Sequence, residues 1–67
     1  MSEPKYPNIE VDLSESDGNA FSILGRVRKA MRKAGLSDAI ISAFDDEARQ
    51  GDYDHLLQTC MKWVEVS

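Results

Sequence analysis

Two groups of residues in this chain have types and spacings that could do chemistry, and the group that would suggest catalysis is the thinner. His55 lies among Asp52, Tyr53 and Asp54, where an imidazole could take up a proton or ligate a metal. It is the only histidine, and Cys60 is the only cysteine. One His with one Cys falls short of a structural zinc set, and a single cysteine forms no disulfide within the chain. The hydroxyls of Ser14, Ser16, Ser22, Ser37 and Ser42 have no His–Asp partnership and sit in no strand-turn-helix nucleophile motif. These residues predict no metal, no cofactor and no catalytic group, and hence a protein that binds and is not an enzyme.

The second group is cationic. Five of the eight basic residues, Arg26, Arg28, Lys29, Arg32 and Lys33, fall within one eight-residue stretch. At 100° per residue they follow one another along an arc opposite Leu24, Val27 and Met31. On one reading the arc is a solvated face whose charges suit a helix C-terminus and pair with Asp45, Asp46 and Glu47 of the next helix. On the other it binds an anion, either an acidic protein surface or a phosphate-bearing small ligand. Asp17-Gly18-Asn19 leads into the same helix, as a plain turn and cap or as a helix start whose free N–H groups hold a phosphate. The arc lies toward the other end of that helix, so a dimer would be needed to bring the two together. Candidate binding residues are therefore Asn19, Arg26, Arg28, Lys29, Arg32 and Lys33. Tyr53 and Trp63 are candidate interface anchors, although for Trp63 a place in the core is the first reading and the interface the second.

The chain has 67 residues, 42% of them hydrophobic and 30% charged, a globular composition in one domain with a thin core. A core of this size is commonly reinforced by a disulfide, a metal or a partner subunit, and the cysteine count leaves the subunit, so a homodimer is expected. A net charge of −4 argues against general affinity for nucleic acid and ranks that function third. No apolar run has signal-peptide character or approaches the ~20 residues of a membrane span, which predicts a cytoplasmic protein without membrane partners.

The elements that position these residues can be read from periodicity. Residues 1–7, with Pro4 and Pro7, read as a flexible lead-in to a single domain over 8–67. Ile9, Val11 and Leu13 alternate with Glu10 and Asp12, predicting a strand from Asn8 to Leu13. After a polar loop over 14–19, capped by Asn19 or Asp17, the positions Ala20, Leu24, Val27, Met31 and Ala34 predict a helix from Ala20 to Ala34 that Gly35 ends. Ser37 caps a second helix, with Leu36 packing on Ile41 as a staple and Ile40, Ile41, Phe44 and Ala48 as its buried face. Gly51 closes that helix. Asp52 caps a third, in which Tyr53, Leu56, Leu57, Cys60 and Val64 recur at helical spacing. Val64-Glu65-Val66 alternates again, with Trp63 at the junction. The expected class is α+β, in the order β-α-α-α-β, with three helices on a short two-stranded sheet that dimerisation would extend.

The segments DGNAFSILGRVRKAMRKAG (17–35) and GDYDHLLQTCMKWVEV (51–66), with the PNIEVDL strand, resemble a family of small, mostly uncharacterised proteins of tailed phages, prophages and bacterial genomes. The resemblance implies a compact phage accessory protein that acts by stoichiometric binding to host machinery. That class includes inhibitors of bacterial immune systems and sponges for nucleotide immune signals.

Overall fold

A computed structural model describes residues 3–13 and 19–66. Its elements are β1 (Tyr6–Val11), α1 (Ala20–Lys33), α2 (Asp38–Ala48), α3 (Tyr53–Trp63) and β2 (Val64–Val66), the expected β-α-α-α-β order. The expected loop over 14–18, with the candidate cap Asp17, lies outside the described residues.

Side-chain caps set the helix starts. The carboxamide Oδ1 of Asn19 accepts from Phe21 N at 2.8 Å, Ser37 Oγ accepts from Ile40 N at 3.3 Å, and Asp52 Oδ1 accepts from His55 N at 2.9 Å. Each satisfies a backbone donor that the first helical turn leaves over. At the end of α1, Gly35 adopts φ 92°, Gly35 N donates to Arg32 O, and Leu36 N donates to Met31 O, the paired bonds of a Schellman motif. The helix stops one residue short of the expected Ala34, which is the C-cap.

Gly51 does not perform the role the sequence suggested. The C-cap of α2 is Arg49, and Gly35 is the one glycine with positive φ among the described residues. Gly51 is required for space: a Cβ there would lie 2.7 Å from both Cβ and Cγ of His55.

β1 and β2 pair in parallel, Tyr6 opposite Val64, Glu10 opposite Glu65 and Val11 opposite Val66, with an irregular register between Tyr6 and Glu10. The strand starts two residues before the expected Asn8 and ends two before Leu13. Two contacts pull its start forward into the supposed lead-in: Lys5 N donates to Lys62 O at 2.9 Å, and Tyr6 stacks on Trp63 at 6.1 Å between centroids. Pro7, which has no N–H to give, is accommodated where the register is irregular.

Val27, Met31, Phe44, Cys60 and Val64 are wholly buried, and Phe44 meets Trp63 edge to face at 5.7 Å. In α3 the buried stripe is Leu56, Thr59, Cys60 and Trp63, a run of i, i+3, i+4 and i+7 positions that leaves Tyr53 outside and Leu57 at the margin. Thr59 was not foreseen as buried. It turns inward at little cost because its hydroxyl donates to His55 O at 2.8 Å.

Candidate binding surface

α1 is built two-sided. Ile23, Leu24, Val27 and Met31 face the core, so the residues half a turn away are forced outward, and Arg26, Lys29, Arg32 and Lys33 are exposed. Arg28 stands at the boundary. Its Nη1 lies 3.8 Å from Oδ1 of Asp45, whose Oδ2 also takes Arg49 Nε at 2.9 Å. The expected pairing of the arc with α2 is thus limited to one cation and one carboxylate. Glu47 is turned elsewhere, accepting from Trp63 Nε1 at 3.2 Å, and Asp46 is exposed.

Between α1 and α2 runs a groove of about 300 Å³ lined by Arg28, Arg32, Asp38, Ile41, Ser42 and Asp45. Its two cations are matched by two carboxylates. An incoming phosphate would meet as much repulsion as attraction there, so the groove is a poor seat for a small anion. Asn19 is not joined to the arc. It is seven residues before Arg26, about 10 Å along the helix axis at 1.5 Å per residue, and its side chain is spent on the cap.

The groups with catalytic potential are held in structural roles. His55 Nε2 is 2.8 Å from the carbonyl of Glu47, a contact that makes Nε2 the protonated, donating nitrogen. The ring therefore clamps the start of α3 to the end of α2. Burial pushes the Cys60 thiol up from 9.0 to about 11, against a smaller lowering by a backbone hydrogen bond, so at neutral pH it is a protonated core group and a poor nucleophile. Among the described residues, no three or more His, Cys, Asp or Glu are arranged to hold a metal ion.

Of the two candidate aromatics, Trp63 is core. It is 5% exposed, packed by Phe44 and Tyr6, with the Lys5 ammonium 4.1 Å from its ring centroid. Tyr53 is 44% exposed, and beside it stands an aromatic that the sequence reading passed over, Phe21, at 74%. A groove of about 290 Å³ lies between them, floored by Leu24, Ala48 and Leu56. The signal for Phe21 was available. It precedes Arg28 by seven positions and Arg32 by eleven, so it shares their side of the helix and not that of the core stripe.

No described helix is long and apolar enough to cross a membrane. No family model, curated protein or solved structure matches the chain.

Proposed function

We propose that this chain is a phage or prophage accessory protein that acts in the host cytoplasm by binding an acidic surface of a host protein, without catalysis. The observation that supports this reading is the outward cationic arc of α1. Arg26, Lys29 and Lys33 radiate from a convex helix, with Arg32 at its edge, and such an array suits a broad acidic surface. A small phosphate ligand needs donors that converge on one point, and the groove lined by Arg28 and Arg32 carries Asp38 and Asp45 as well. Long-range attraction to an acidic partner also speeds encounter. Antagonism of bacterial antiviral defence is the phenotype that such host binding would give a phage.

Affinity capture from bacterial lysate with the wild-type chain and with Arg26→Gln/Lys29→Gln/Lys33→Gln tests this. The expected result is a host protein retained by the first and lost by the second, together with a phage-restriction phenotype that follows the same pattern. Enrichment of no host protein, or an identical set for both chains, overturns the proposal. A nucleotide panel run by thermal shift covers the small-ligand reading: a ligand at about 100 Kd adds ~2.7 kcal/mol of stability, and such a shift would transfer the function to a phosphate-bearing molecule.

A further inference from the structure

We infer that Arg28 is a detachable member of the cationic arc: Asp45 holds it in the free chain, and a carboxylate of the bound partner draws it off. This rests on the reading of α1 as a surface for an acidic protein and specifies how that surface completes itself on binding. The case starts from the two arginines that share Asp45. Arg49 Nε donates to Oδ2 at 2.9 Å, from one turn further along the chain. Arg28 Nη1 stands 3.8 Å from Oδ1, beyond hydrogen-bond reach. Oδ1 is itself buried and accepts no hydrogen bond from the described residues. One arginine is bonded to the carboxylate, and the other only lies near it.

Such an arrangement holds Arg28 weakly. A carboxylate oxygen withheld from donors costs free energy, and a long, part-exposed contact with one cation offsets little of it. Breaking an ion pair is severe when it leaves a buried charge alone. Here it does not, because Arg49 stays on Asp45 while water reaches Oδ1 in place of Arg28. The Arg28 side chain is 42% exposed, so its guanidinium has solvent to move into.

Position gives the released guanidinium its use. Arg28 precedes Arg32 by one turn of α1, and side chains at i and i+4 lie on one side of a helix. Both line the groove between α1 and α2, at the edge of the arc that Arg26, Lys29 and Lys33 continue. Turned outward, Arg28 joins that array as a planar fork able to pair with a carboxylate through two parallel bonds, where a lysine offers a point charge.

A deca-glutamate peptide serves as the acidic probe, its affinity for the full chain measured by fluorescence anisotropy at low salt, with circular dichroism verifying the fold of each variant. Arg28→Gln is expected to weaken binding roughly 5-fold, and Asp45→Asn to strengthen it roughly 2- to 5-fold by removing the competing carboxylate. Asp46→Asn removes the same charge from an exposed neighbour and should give a smaller gain. In the Arg28→Gln background the gain from Asp45→Asn should fall to that of Asp46→Asn, because the two residues act as a pair. A gain that persists undiminished in that background, or one that Asp46→Asn reproduces in full, overturns the inference. So does an affinity indifferent to Arg28→Gln. Those outcomes leave the arc reading standing, whereas a peptide affinity that Arg26→Gln/Lys29→Gln/Lys33→Gln does not reduce removes that reading and the inference with it.

Discussion

The junction of α2 with α3 and the outer side of α1 spend their polar and aromatic groups in opposite ways. At the junction, the His55 ring holds the Glu47 carbonyl, Thr59 donates to His55 O, the Glu47 carboxylate accepts from Trp63, and Asp45 takes Arg49. The groups most suggestive of chemistry are thereby consumed by the fold. Along α1, by contrast, four cations and a phenylalanine project outward, where they contribute little to holding the molecule together. Residue type is thus a weak guide to function in so small a domain. Whether a group is already engaged within the fold is the stronger one.

If the contrast is right, substitutions on the inner side damage folding and those on the outer side damage only association. The largest effect is expected for Phe44→Ala, which empties a wholly buried ring site against Trp63 and should cost about 3–5 kcal/mol. That equals most of the stability expected of a core this small, so chemical denaturation should find the variant largely unfolded. A smaller inner effect comes from Cys60. Its folded value of about 11 stands above the ordinary 9.0, so the stabilisation is complete below pH 9 and is lost as pH rises from 9 through 11, where the unfolded thiol ionises and the buried one does not. The loss should be at most about 1.4 kcal/mol per pH unit, read as the difference between wild type and Cys60→Ala in alkaline denaturation.

His55→Ala removes the clamp on Glu47 and should cost about 1 kcal/mol, with no acquired or lost turnover. A stability loss well below that would mean that the ring is not tied into the junction and is free for other work. Least affected should be Arg26→Gln/Lys29→Gln/Lys33→Gln, whose denaturation midpoint should correspond to a change within ~0.5 kcal/mol. A large destabilisation by this triple change would erase the contrast by showing that the arc supports the fold.

The parts of this architecture that depend on local rules were legible in the sequence. Asn19, Ser37 and Asp52 cap where their side chains suggest, Gly35 takes the left-handed turn, and Val64-Glu65-Val66 returns as a strand beside Trp63. What escaped depends on contacts between distant segments. Pro7 made residues 5–7 look unstructured, because nothing local announces that Tyr6 will stack on a tryptophan 57 positions later. Gly51 looked like a helix terminator because its neighbour across the turn, His55, was not placed. Thr59 became a buried residue only because a backbone carbonyl one turn earlier absorbs its hydroxyl. The cationic arc was visible from spacing alone, whereas the meeting of its Arg28 and Arg32 edge with Asp38 and Asp45 required the placement of α2. Phe21 was overlooked among the apolar residues of α1, although its angular position sets it apart from them.

The parallel pairing of β1 with β2 has a mechanical consequence. A load applied between residues 5 and 66 draws the two strands past each other along their length, so the hydrogen bonds joining them resist together. Had the same strands met antiparallel, that pull would have peeled them apart one bond at a time.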